Sequence, residues 1–268
     1  MSVMSGEPAL TGGLVCGPCP ESLEPALTGG LVCGPCSEGP PAAALWSRMQ
    51  GCSRAGERAF REEQSAAALS LLKRAYLLSH GHPCGRQRYR CLFNLAAAYL
   101  QAAKPRKALQ CLVRCQQERG GEREGDPDLL FNMGMANEGL GQTGDALSCY
   151  QVAVTLHGQR DPGGQADARV KGAYCQLALR QRGAAAHSFA LAAQGYRQAG
   201  RGEDAAMALR EAANHMIVRG KGLHTQVCGA LSLLQDCLHL CRDVKDVSLR
   251  GTGLLHYTHT LCPLIPSP

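Results

Sequence analysis

A chain of 268 residues with 45% apolar and 19% charged residues has enough material to bury a core in one or two domains. Its net charge of +6 is carried by Lys and Arg spread along the chain, with only 4% aromatic residues, which argues against nucleic-acid binding. No basic-then-apolar leader opens the chain and no stretch approaches the roughly 20 apolar residues of a membrane span, so a cytoplasmic protein is expected, off the membrane, with its fifteen cysteines reduced.

Residues 1–45 contain seven of the fourteen prolines, eight glycines and few large apolar side chains. Such a segment buries too little surface to offset its ordering entropy, so disorder is expected. It carries Glu7, Glu21, Glu24 and Glu38 without a Lys or Arg, which leaves the remainder at +10 against the whole chain's +6. Thirteen residues, E-P-A-L-T-G-G-L-V-C-G-P-C, occur twice in it, at 7–19 and 24–36. From Trp46 the texture changes to Ala, Leu, Gln and Arg with apolar residues at helical spacing, and helices are expected to begin there.

Three windows then align without gaps, 53–75, 93–115 and 131–153, starting 40 and 38 residues apart. In each, a small residue (Gly56, Ala96, Gly134) precedes an alanine (Ala68, Ala108, Ala146) by twelve positions. Four further on stands a large apolar residue (Leu72, Leu112, Tyr150), and three beyond it a small one (Ala75, Cys115, Ala153). A fourth window begins at Gly172, with one extra residue expected in its turn so that Ala185, Phe189 and Ala192 take the second-helix positions. In a fifth, Arg210 falls where Gly or Ala belongs. The run 247–257 reads as the first helix of a sixth unit, followed by an unstructured tail over 258–268, so the array is expected to be cut short.

Four positions recurring in three windows resemble the tetratricopeptide repeat family, whose common period is about 34 residues. The resemblance implies an all-α fold, a right-handed superhelical solenoid of antiparallel helix pairs over residues 46–257, behind a disordered N-terminal tail. It also implies that first helices line a concave groove in which peptides lie. On that reading the partner-binding residues are Arg90, Asn94 and Gln101 in one repeat, Asp128, Asn132, Met135 and Glu138 in the next, and Arg169 and Gln176 in the third, with Ala97 and Ala173 as neighbours. Asn94 and Asn132 share one register, with Arg54 at that register in the first unit, and a side-chain amide can donate to a peptide carbonyl and accept from its N–H. Solvated or locally bonded asparagines are the plainer alternative. The family's carboxylate clamp for chaperone tails is disfavoured, because Phe93 and Phe131 stand where its lysines would be.

The expected function is therefore a non-catalytic scaffold or adaptor that binds a protein or peptide. No Walker loop, nucleophile elbow, H-E-x-x-H or dinucleotide fingerprint occurs, so no enzyme, cofactor or small-molecule substrate is expected. The competing reading is a zinc-binding or redox-sensitive protein acting through Cys16, Cys19, Cys33 and Cys36, whose two C-x-x-C pairs have near-ribbon spacing. Against it, identity of the whole thirteen-residue block points to duplication of a tract. His80, His82 and Cys84 read as a surface loop. Cys111 with Cys115, and Cys237 with Cys241, read as thiols packed on helices.

Overall fold

The computed structural model describes residues 40–81, 85–118, 125–158, 160–216 and 223–243. Ten helices and no strand occur among them. They fall into two compact units divided between Arg123 and Glu124. The first contains α1 (Pro40–Arg61), α2 (Ser65–Ser79), α3 (Gly85–Gln101) and α4 (Pro105–Glu118). The second contains α5 (Pro127–Gly139), α6 (Thr143–His157), α7 (Pro162–Ala178), α8 (Arg182–Gln198), α9 (Gly202–Met216) and α10 (Leu223–Asp243). Within each unit every helix packs on the next in chain order, which is the all-α, tetratricopeptide-like solenoid pattern. None of these helices is long and apolar enough to cross a membrane.

Local chemistry sets the helix ends. Proline opens α5 and α7, where a missing N–H costs nothing. Asp126 caps α5 by accepting from the amides of Asp128 and Leu129 at 3.0 and 3.3 Å, and Asp161 caps α7 through the Gly164 amide at 2.9 Å.

The short turns share one design. After α1, α3, α5, α7 and α8, the third turn residue donates its amide to a carbonyl five residues back: Gln64 to Ala59, Lys104 to Tyr99, Gln142 to Asn137, Gln181 to Gln176 and Arg201 to Tyr196. The residue before each donor has a left-handed backbone: Glu63, Ala103, Gly141, Arg180 and Gly200. These are Schellman closures, which satisfy carbonyls that the helix leaves without a partner. At Ala103 (φ 52°) an L-residue carries a steric cost of about 1–2 kcal/mol. Ala103→Gly removes it, while the unfolded chain gains freedom worth about 0.4–1 kcal/mol. The expected result is a net stabilisation of up to about 1.5 kcal/mol, read as a higher urea midpoint.

The core follows the repeat. Ala68, Leu72 and Ala75 of α2, Ala108, Leu112 and Cys115 of α4, and Ala146, Tyr150 and Ala153 of α6 are all fully buried, as are Ala185, Phe189 and Ala192 of α8. Close approach explains the small first-helix residues: a Cβ on Gly56 would lie 2.7 Å from Leu72 Cγ.

Three expectations are corrected. Helix α1 begins at Pro40, six residues before Trp46. The fourth hairpin has no extra turn residue; its turn, Leu179 to Gln181, is closed like the others. The added residue comes earlier, so that Ala173, not Gly172, packs with Ala185 and Phe189, while a Cβ on Gly172 would face Leu147 and Tyr150. In the fifth hairpin Ala213 packs with Ala230 and Leu234, three residues beyond Arg210, which instead reaches Glu211 at 3.1 Å. Residues 1–39, His82, Cys84 and everything from 244 onward lie outside the described residues, and with them the expected disordered tail, the paired C-x-x-C motifs and the sixth unit.

Candidate functional site

In the first unit, α1 and α3 meet through polar groups. Glu57 is buried, and its Oε1 accepts from Asn94 Nδ2 at 2.9 Å and from Ser53 Oγ at 3.0 Å. Asn94 is only 3% exposed. Its amide is therefore committed to holding two first helices together, which corrects the expectation that it stands open to a peptide. Asn94→Ala leaves a buried carboxylate short of a donor, a loss of about 1–3 kcal/mol. Chemical denaturation should show it, with no partner present. The Glu57 contact was not legible in sequence; its one signal was an acidic residue on the buried face of a helix otherwise lined with Ala and Phe.

Gln101 donates from Nε2 to the Phe60 carbonyl at 3.1 Å, and its Oε1 is buried without a partner among the described residues. Ala97 is buried and Arg90 half-buried. Arg54, Arg58 and Arg61 follow at i, i+4 and i+7 and form one exposed stripe on α1. No ion pair joins any of these arginines to the described residues. Between 40 and 118 the chain has thirteen Lys and Arg against four Asp and Glu, so the positive charge that looked evenly spread is concentrated in this unit.

In the second unit, Asn132 is 2% exposed and its Nδ2 has no partner among the described residues. Asp128 lies half-buried near its Asp126 cap; burial pushes its carboxyl pKa up, and Asp126 and Asp161 add to that while His157 opposes it. Met135 packs against the core around Phe131 and Tyr150. Glu138 accepts from Tyr150 Oη at 2.9 Å and stands 3.6 Å from Lys171 Nζ. Ala173 is fully buried, so it is a packing residue.

Arg169 and Gln176 of α7 line an opening between α6, α7 and α8 of about 160 Å3, together with Leu147, Gln151, Val154 and Ser188. Arg169 donates to Gln165 Oε1 at 2.8 Å, and Gln176 Oε1 accepts from Ser188 Oγ at 2.9 Å. Counted back from the hairpin turn, Arg169 occupies the position of Leu92 in α3 and Leu130 in α5, and Gln176 that of Tyr99. The first is a packing position, so the Arg169 side chain replaces core there, whereas the second is polar in α5 as well, where Asn137 stands. Nearby, Arg201 is differently placed: it holds Asp204 at 2.6 Å and Asp167 at 3.0 Å, and Tyr196 donates to Asp167 at 2.7 Å.

Four of the described cysteines, Cys91, Cys115, Cys175 and Cys237, are buried as packing residues, whereas Cys228 is exposed. Cys115 and Cys237 are fully buried, and burial pushes the thiols of Cys91 and Cys175 up to about 11, away from thiolate chemistry at neutral pH. Among the described residues no group of three or more His, Cys, Asp or Glu is placed to hold a metal. His80 turns back on its own helix, with Nδ1 3.1 Å from the Tyr76 carbonyl.

No protein-family model matches the chain. Among solved structures it is similar to the TPR-like repeats of a kinesin light chain from Podosopora anserina, at 17% identity and a TM-score of 0.58 over 74% of this chain and 97% of that one. It is also similar to YrrB, described as a TPR protein with an unusual peptide-binding site, at 16% identity and 0.52 over 81% and 98%. BtubC from P. vanneervenii matches at 15% identity and 0.53 over 82% and 84%. At these identities the likeness concerns the fold.

Proposed function

We propose that the protein is a non-catalytic interaction scaffold that binds a protein or peptide partner on the first-helix faces of its hairpins. One observation carries the reading: Arg54, Arg58, Arg61 and Arg90 sit on adjacent first helices of one unit without an ion pair to any described residue. Packing alone gives no reason for four arginines without ion pairs on these two helices, whereas an acidic partner does. Gln101 is not part of this surface: its Nε2 is engaged by the Phe60 carbonyl and its Oε1 is buried. In the second unit Asp128, Met135 and Glu138 are the corresponding candidates, while Asn132, at 2% exposure, is as buried as Asn94. The tetratricopeptide-like fold supports this, since a structure of the same fold has a peptide-binding site. The repeat period of 38–40 residues and the stretches R-A-Y-L-L, F-N-L-A-A-A-Y and A-A-H-S-F further resemble tetratricopeptide repeat protein 24, and that resemblance too implies scaffolding.

A library of random twelve-residue peptides displayed on phage, selected against the full chain, tests the reading. Selected peptides are expected to be acidic, to bind more weakly as salt rises, and to be lost by the double variant Arg54→Glu, Arg58→Glu while its thermal melt is unchanged. Peptides that bind this variant as well as the parent, or no selected peptide at all, would overturn it.

A further inference from the structure

We propose that the opening between α6, α7 and α8 is a binding site for one aliphatic carboxylate, received by Arg169 with Gln151 and Gln176 beside it. This goes beyond the first-helix reading, because the site lies wholly in the second unit and does not depend on the arginines of the first.

Arg169 is half-buried at a position that α3 and α5 fill with leucine, it lines a half-open space, and its hydrogen bond is to a neutral amide. No carboxylate among the described residues pairs with it, whereas Arg201 one helix away has two. Burial acts against its charge and lowers its pKa. A guanidinium partly shielded from water without an anion loses part of its solvation; an anionic ligand would offset that loss, through a planar fork suited to two parallel bonds.

Size and charge narrow the ligand. A dry cavity of about 150 Å3 holds a benzene ring, while pockets for drug-sized molecules start at about 300 Å3. A space of about 160 Å3 therefore takes a single side-chain-sized group. One cation among the lining residues matches one negative charge; a phosphate dianion would call for more. Leu147 and Val154 form an apolar wall along which methylenes can lie. The geometry points to a carboxylate on a short aliphatic stem, either a glutamate side chain of a bound polypeptide or a free carboxylic acid.

Methyl NMR on the full chain, following Leu147 and Val154, decides it with four probes: butyrate, butyramide, N-acetyl-glutamate α-methylamide and its glutamine counterpart. The acids are expected to shift these methyls with at least about tenfold tighter binding than the matched amides. Arg169→Gln should abolish the difference, and Arg169→Lys should retain part of it. Saturation by the blocked glutamate identifies a polypeptide side chain as the source, and saturation by butyrate alone a free acid. Equal shifts from acid and amide, or none from any probe, would overturn the site; a failure of the phage selection would leave it standing. If Arg169→Gln alters the thermal melt, the acid-against-amide comparison on the parent chain still decides.

Discussion

Tyr150→Ala is expected to lower the unfolding free energy by about 3–5 kcal/mol, the largest effect of any single truncation in α6. Tyr150 is fully buried, packs edge-on to Phe131 with centroids 5.5 Å apart, and donates to Glu138. Desolvation raises its phenol pKa first, with the Glu138 charge and hydrogen bond adding to that, so the ring stays neutral. The ring fits because its partner has no side chain: a Cβ on Gly134 would lie 2.6 Å from Cε1 and 2.8 Å from Cδ1 and Cζ. Gly134→Ala therefore sets two terms against each other. Helix propensity favours alanine by about 0.8–1 kcal/mol, while overpacking a ring with no room to retreat costs about 1–3 kcal/mol. Net destabilisation is expected. At Gly51, an exposed position inside α1 with nothing within 4 Å of a Cβ, the propensity term stands alone and the same change should stabilise by about 1 kcal/mol. Urea titrations of the two variants that moved the same way would refute the close-packing account of Gly134.

The second large effect is expected at Phe189→Ala, about 3–5 kcal/mol, against less than about 1 kcal/mol for Ser188→Ala. Phe189 is fully buried among Ala173, Ala185 and Ala212, with Tyr174 edge-on at 5.2 Å and the His215 ring stacked at 6.2 Å. Ser188 is the residue that a gapless extension of the repeat from Gly172 would place in the core, yet it lies half-buried and bonds Gln176. Equal losses at the two positions, measured by thermal and chemical unfolding, would mean that the hairpin is paired in the other register.

These sites show where reading the chain succeeded. The triad Ala68, Leu72 and Ala75 and its counterparts in α4, α6 and α8 are buried as the spacing predicts, because crossing two helices closely requires small residues at fixed offsets from large ones. That requirement is local to about 40 residues and leaves a recurring pattern. The register slips mark its limit. For the fourth hairpin both placements of the added residue preserve the second-helix pattern, and only the Schellman closure at Leu179 to Gln181 shows that the turn is unchanged. In the fifth, Arg210 broke the pattern in sequence because the packing residue is Ala213.

The candidate site was less legible. Asn94 and Asn132 share a register, and both prove buried, yet one amide is engaged by Glu57 and the other keeps an unpaired donor. Their identical neighbours, Phe93 and Phe131, gave no sign of the difference. Arg169 and Gln176, taken as members of a first-helix face, instead line a space between three helices.

By itself, then, the amino-acid sequence determined the helical hairpins, their approximate period and the side chains of their core, since all of these follow from contacts within one hairpin that must recur in the next. Tertiary structure decided which polar groups remain available to a partner. Glu57 captures Asn94 across 37 positions and Asp167 captures Arg201 across 34, whereas Arg169 is left without an anion. Whether a charge or an amide is free depends on what packs against it from the neighbouring helices, and no regular spacing along the chain encodes that.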